Sequence, residues 1–390
     1  MSNSQRAAVL AVTALLIVAA CAGATPTTAP TTAPTTAPTT APTTAPGGAP
    51  TPYADYPDIP VATCDVTGKK VAMILYATNA YMQGQGAWFK HYAEADGASV
   101  TLIDGKADPV VQDKAAADLL AAGVDGIAWD PADPAAFGER SKQIQEAGIP
   151  LLFTEAAPPA ESGVVGPLAA FNDIVLTREA GAKAAKYVQD VLGQKPKAVV
   201  FDLLNFPGCH DPKVGRMAGF VQGIQSIAPD AEMVFWDDTP FPKDESMAKM
   251  EDILQATPDF NIFTGCGGDQ ILGGLAALEA AGRLKATDKK PATEWAMTID
   301  GSPEEFRYLL NPQTSVMEVI TMTPKENSDA MWRMMKAMIC GDLGLKDPLV
   351  VDLPGKFVPT DDCQAAAKLL EEQYGQTDVY EPIDCSKYGG

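Results

Sequence analysis

The chain has 390 residues, and its 50 acidic against 29 basic side chains leave a formal charge of −21. That balance argues against nucleic-acid binding, which needs a basic footprint, and leaves a neutral small-molecule ligand open. Seven cysteines and two histidines, with no Cys-x-x-Cys pair and no Cys/His cluster, argue against a zinc site.

Residues 1–20 carry one charged side chain, Arg6, ahead of the apolar stretch Ala7–Ala20. The stretch is too short and alanine-rich for a membrane span and suits a signal peptide. It ends Val18-Ala-Ala-Cys21, which resembles a bacterial lipobox, so cleavage before Cys21 and lipidation of its thiol are expected; the alternative is an ordinary signal peptide. Residues 21–52 form a spacer in which Thr-Thr-Ala-Pro repeats from Thr25 to Pro46. With nothing apolar to bury and a proline at every fourth position, it should stay extended. At roughly 3 Å per residue it would reach about 60–70 Å from a membrane anchor.

The remainder, about 340 residues, is too long for one core and suits two lobes. Lys70–Tyr76 reads as a buried strand, followed by the polar turn Ala77–Met82 and a helix to about Asp96. Ser99–Asp104 is a second strand and Pro109–Ala122 its return helix. The apolar run from Gly126 ends in Trp129-Asp130-Pro131; about three helical turns later a second run, from Ile149, ends in Glu155. After Pro158-Pro159 the pattern restarts, with a helix over about Thr177–Val191. Strands are expected at Lys197–Asp202, Glu232–Trp236, Asn261–Thr264, Trp295–Asp300 and Ser315–Thr321. Helices fall at about Val214–Ile227, Lys243–Ala256, Asp269–Ala281 and Lys325–Cys340, and Ser302 starts another as its N-cap. Met331, Met334, Met335 and Met338 lie at helical spacing and read as core.

The fold class is therefore α/β, two doubly wound parallel-sheet lobes with their carboxyl edges facing across a crevice suited to a small molecule. The expected boundaries are 69–158 with 323–347 for the first lobe and 159–322 with 348–368 for the second, followed by an extension at 369–390. Hinge crossings are expected near 157–160, 321–324 and 345–349.

Several short motifs fall in order along this scaffold. Asn79-Ala-Tyr-Met82 follows the first strand, Asp130-Pro131 and Thr154-Glu155 end the third and fourth, and Arg216-Met-Ala-Gly-Phe220 opens a helix. Asp269 precedes Gly273 and Gly274, and Ile299-Asp-Gly-Ser-Pro303 ends a strand. In this combination, over roughly residues 69–355, the chain resembles the type I periplasmic sugar-binding proteins, the soluble receptors of sugar ABC importers, with the ribose and galactose/glucose receptors the nearest likenesses.

The resemblance implies a site between the lobes. Tyr81 and Phe241 would supply apolar plates for a sugar's C–H faces, one from each lobe. Asp130, Glu155 and Asp300 would accept hydroxyl protons, and Arg216, Asn79 and His210 would donate. Asp269 matches the family's acidic helix start. Trp129 would either touch the ligand or cap the core beneath it. The chain departs from the family pattern at Ala156, where an arginine is frequent, at Gly268 in place of asparagine, and at Asp130, where ribose receptors carry asparagine. A more acidic pocket follows.

Six cysteines beyond Cys21 allow fifteen disulfide connectivities. Cys209 and Cys266 follow the first and third strands of the second lobe, neighbours in a doubly wound order, so a bridge between them beside the cleft is expected. Cys64–Cys340 and Cys363–Cys385 are the pairings expected for the rest. The resemblance thus implies a monomeric, extracytoplasmic, membrane-anchored lipoprotein that captures a pentose or hexose for an ABC permease, with no cofactor, metal or catalytic residue. The alternatives are a sensor without transport and a receptor for a nucleoside or cationic compound. A glycosidase built on Asp130/Glu155 or Glu155/Asp300 ranks below them.

Overall fold

The computed structural model describes residues 56–353 and 355–388. The expected signal peptide (1–20), the lipidation site Cys21 and the spacer to residue 52 lie outside the described residues.

The first lobe alternates strand and helix: β1 Lys70–Leu75, α1 Ala80–Ala95, β2 Ser99–Asp104, α2 Pro109–Ala122, β3 Gly126–Trp129, α3 Gly138–Glu146, β4 Leu151–Thr154 and β5 Leu168–Ala170. The chain then enters the second lobe with α4 Ile174–Asp190, β6 Lys197–Asp202, a single turn α5 Pro207–His210, α6 Arg216–Ile227, β7 Glu232–Asp238 and α7 Lys243–Ala256. It continues through β8 Ile262–Gly265, α8 Gly268–Ala280, a two-residue hairpin (β9 Ala286–Thr287, β10 Lys290–Pro291), β11 Trp295–Asp300, α9 Pro303–Leu310 and β12 Val316–Thr321. Helix α10, Pro324–Cys340, and β13, Val350–Asp352, return to the first lobe; β14, Lys356–Phe357, goes back to the second, and α11 spans Cys363–Tyr374.

Two six-stranded sheets result, in the orders β13-β5-β4-β3-β1-β2 and β14-β12-β11-β8-β6-β7. All pairings in them are parallel except β12 with β14. Strand periodicity explains the two-sided burial. Val71, Met73 and Leu75 pack with Phe89 of α1 and Met331 and Met335 of α10. Ala72, Ile74 and Ile127 pack on the other face with Leu119, Phe137 and Ile144. All four methionines of α10 are buried, in the core on the α1 side of the sheet. Helix starts follow their caps: the Asn79 side chain accepts from Met82 N, and Ser302 with Glu305 forms a capping box at α9.

Two boundaries differ from the sequence reading. The first crossing lies between Ala170 and Ile174, not at 157–160, because β5 extends the first sheet. The third lies between Asp352 and Lys356, not at 345–349, because β13 pairs with β5. Both strands have three residues, too few to display a period. Nor does an extension begin at 369, which falls inside α11. That helix rests on both lobes: Trp88 Nε1 donates to Gln373 O, Tyr374 is buried, and Arg307 of α9 pairs with Glu381 just beyond.

Three disulfides are present, Cys64–Cys340, Cys209–Cys266 and Cys363–Cys385, with Cα separations of 5.4, 5.6 and 5.8 Å. Cys209 and Cys266 follow β6 and β8, which are paired neighbours.

Candidate functional site

The carboxyl edges of the two sheets line a cavity of about 40 Å³. Each polar wall residue sits where a strand has ended or a helix begins. Asp130 follows β3, Glu155 follows β4 and Asp300 closes β11, while Arg216 is the first residue of α6. Helix α6 is held close against α4: a Cβ on Gly181 would lie 2.1 Å from Phe220 O, and one on Gly223 2.0 Å from Arg178 O. That approach fixes the height at which Arg216 enters the cavity. Glu155 and Asp300 have φ values of +63° and +96°, a left-handed backbone unusual for side-chain-bearing residues and found preferentially at functional positions.

Arg216 gathers the carboxylates across the lobe boundary. Its Nη2 donates to Glu155 Oε2 at 3.4 Å, and its Nη1 lies 3.8 Å from Asp300 Oδ1 while donating to Cys266 O. Tyr81 OH donates to Glu155 Oε1 at 3.0 Å, and Gly268 N to Asp300 Oδ2 at 2.7 Å. Asp130 is different. It is 0% exposed, and neither side-chain oxygen has a hydrogen-bond partner among the described residues. Buried polar groups are almost always paired, so this carboxyl stands out as one left open beside the cavity it lines.

Three acids share one guanidinium in a dry space. Burial raises Glu155 to about 7, against the lowering pull of Arg216 and the Tyr81 hydroxyl. Burial likewise raises Asp300 to about 7, opposed by Arg216 and the Gly268 amide. Burial, reinforced by Glu155, lifts Asp130 well above the carboxylate range. For Arg216 burial disfavours the charge, but Glu155, Asp173 and Asp300 outweigh it and hold the guanidinium protonated.

Aromatic rings close the remaining walls. Tyr76, from the first lobe, meets Phe241 at 5.0 Å and Phe206 at 6.5 Å, both from the second. With the Glu155–Arg216 pair, these contacts put the lobes in a closed arrangement. The Cys209–Cys266 bridge and Met322 complete the apolar lining.

Of the ten residues expected at the ligand, the structure gathers six around the cavity: Tyr81, Asp130, Glu155, Arg216, Phe241 and Asp300. Four lie elsewhere. Trp129 takes the second of its two expected roles, in the core, 0% exposed, 4.5 Å from the Phe137 ring and donating to Gln112 Oε1. Strand alternation sends it to the α2/α3 face, so the residue after it turns to the cleft. Asn79 caps α1 through Oδ1 and leaves its buried Nδ2 unpaired. His210 Nδ1 lies 2.7 Å from Asp202, which also accepts from Trp236 Nε1. Asp269, in the first turn of α8, does not line the cavity; burial raises it, with Lys243 opposing and Glu304 adding, and its own charge helps to raise Asp300. Sequence reasoning missed Tyr76 and Phe206. The signal for Tyr76 was its place one residue beyond β1, at the carboxyl edge; Phe206 carries no such mark. Among the described residues no group of three or more His, Cys, Asp or Glu side chains could hold a metal ion, and no helix is long and apolar enough to cross a membrane.

A family model described as "Periplasmic binding protein domain" matches residues 71–343. Over 192 residues, 49% of this chain, the sequence is 27% identical to the ribose import binding protein RbsB of Bacillus subtilis (strain 168); the match spans 59% of that relative's length. Solved structures share the architecture. A galactofuranose binding protein superposes with a TM-score of 0.61 at 16% identity, covering 78% of this chain and 98% of that one. A Mycobacterium smegmatis protein in complex with β-D-fucofuranose gives 0.64 at 21% identity, with 79% and 96% covered. A Bacillus halodurans C-125 solute binding protein with bound myo-inositol gives 0.62 at 17%, with 80% and 100% covered. At such identities the likeness establishes a shared fold.

Proposed function

Because the chain belongs to the periplasmic binding protein family, we propose that it is an extracytoplasmic receptor that closes on a monosaccharide and delivers it to an ABC permease. The observation that carries this reading is the buried, unpartnered carboxyl of Asp130 beside Glu155, Asp300 and Arg216, in a cavity walled by Tyr76, Tyr81 and Phe241. A pentose or hexose answers both demands, with hydroxyl donors for the open oxygens and C–H faces for the rings. The relatives' printed descriptions, ribose import, galactofuranose binding and bound fucofuranose, point the same way. The ligand residues of this reading are Tyr81, Asp130, Glu155, Arg216, Phe241 and Asp300.

The lobes hinge about the three crossings, and a monomer anchored through lipidated Cys21 completes the proposal. Membrane release of a Cys21→Ala variant tests the anchor. The acid excess over one guanidinium favours a second reading, a cationic or amino-bearing ligand at the same site; a sensor would use the same closure without transport. The family is one of solute-binding proteins, and turnover of nitrophenyl glycosides abolished by Glu155→Gln would replace the receptor reading with a glycosidase.

The deciding experiment is a thermal-shift screen of the chain from about Tyr53 onward against pentoses, hexoses, polyols, nucleosides and amines. A ligand at 100 times its Kd stabilises by about 2.7 kcal/mol. A screen in which only nucleosides or amines shift the midpoint sinks the sugar assignment.

A further inference from the structure

Beside the carboxylate cavity lies a larger crevice of about 340 Å³ between the same two lobes. Glu155 is the residue that lines both spaces. Both oxygens of its carboxylate are engaged on the inner side, Oε1 by Tyr81 and Oε2 by Arg216, and its backbone is left-handed where the two spaces meet. A second link is aromatic: Phe171 walls the crevice, and its ring lies 6.2 Å from that of Tyr81, which walls the cavity.

The chemistry of the two spaces differs. The inner cavity presents three carboxyls and a guanidinium. The crevice is faced by Ala157, Leu168, Ala170 and Val350 from the first lobe and by Pro207 and Val214 from the second. Val350 and Val214 are 50% and 41% exposed, branched aliphatics left open to water on opposite sides of one gap. Apart from Glu155, the polar groups are Asp352 and Asn172, whose Oδ1 is buried without a hydrogen-bond partner. A second sugar ring there would bring several hydroxyls to walls that can pair few of them.

We propose that the two spaces form one binding site, in which the crevice receives a compact apolar substituent carried by the polyol whose ring occupies the inner cavity, as the aglycone of an aryl or alkyl glycoside would be. The proposal rests on the polyol reading of the inner cavity. A phenyl group that buries about 80 Å² of apolar surface at about 25 cal/mol/Å² corresponds to roughly thirtyfold in affinity.

The test is calorimetric titration of the full chain with free pentoses and hexoses, their methyl and phenyl glycosides, and disaccharides. For the sugar that binds, the phenyl glycoside should bind about thirtyfold tighter than the methyl glycoside. Val350→Trp, which fills the crevice from an exposed strand position, should bring that ratio close to one; Ala157→Leu provides the same reading if the tryptophan variant fails to fold. Phenyl and methyl glycosides of equal affinity overturn the proposal, as does a phenyl gain that survives the substitution. Disaccharides bound in preference to phenyl glycosides overturn the apolar assignment. If free sugars bind and no glycoside does, the crevice idea falls and the receptor reading stands; if no polyol of any kind binds, both fall.

Discussion

Replacing Arg216 with methionine removes the guanidinium from between Glu155 and Asp300 and leaves these two carboxyls, with Asp130 and Asp173 behind them, buried without that cation. The consequence depends on pH. In the folded protein both groups titrate at about 7, above the ordinary values of 4.5 and 3.8. The folded state therefore holds more protons than the unfolded chain between about pH 4 and 7, and stability falls as pH rises through that window. Without Arg216 both values climb further, so the decline continues beyond pH 7. At pH 8 the variant must either bury uncompensated charge or take up protons, a loss of about 3–5 kcal/mol. At pH 5 both carboxyls are protonated with or without Arg216, and the loss shrinks to about 1 kcal/mol of altered packing. Scanning calorimetry of both proteins from pH 5 to 8 reads this directly, since about 3 kcal/mol moves the midpoint by roughly 6–12 °C for lobes of this size. An equal loss at pH 5 and pH 8 would refute the charge argument and leave Arg216 as a packing residue.

Asp130→Leu should raise the unliganded midpoint by about 1–3 kcal/mol equivalent, since it replaces an unpaired buried carboxyl with an apolar group of similar size, while weakening the ligand by tenfold or more; thermal shift with and without ligand separates the two. Tyr81→Phe leaves Glu155 Oε1 unpaired and should lose about 1–2 kcal/mol, measured by urea titration. Cys209→Ser with Cys266→Ser opens a loop with a sequence separation of 57 residues, for which chain entropy gives about 4 kcal/mol. Gly301→Ala should unfold the second lobe or abolish binding, because φ there is +73° and a Cβ would lie 2.4 Å from that of Thr321; a Gly301→Ala protein that stays soluble and binds its ligand would contradict the geometry.

Much of the architecture was legible because parallel strands buried on both faces read as unbroken apolar runs between amphipathic helices. The site acids were legible for a related reason: Asp130, Glu155 and Asp300 each interrupt such a run at its carboxyl end. What escaped notice has physical causes. Leu168–Ala170 and Val350–Asp352 are too short to show a period, so the crossings were set too early. Trp129 and Asp130 are adjacent in sequence but face opposite sides of the sheet, which chemistry alone does not reveal. His210 looked like a ligand donor from its loop, and the pairing that engages it, with Asp202 at the end of β6 eight residues earlier, depends on how the loop turns back. Phe206 and the crevice beyond Glu155 arise from how two lobes meet, a relation that local pattern does not encode.

The seat of α11 has a mechanical consequence. A segment fastened to α1 through Trp88 and Gln373, and to α9 through Arg307 and Glu381, cannot follow both lobes when they part. If the receptor reading holds and the lobes part to release a guest, one set of fastenings has to let go, and the tail would then act as a latch on the closed form.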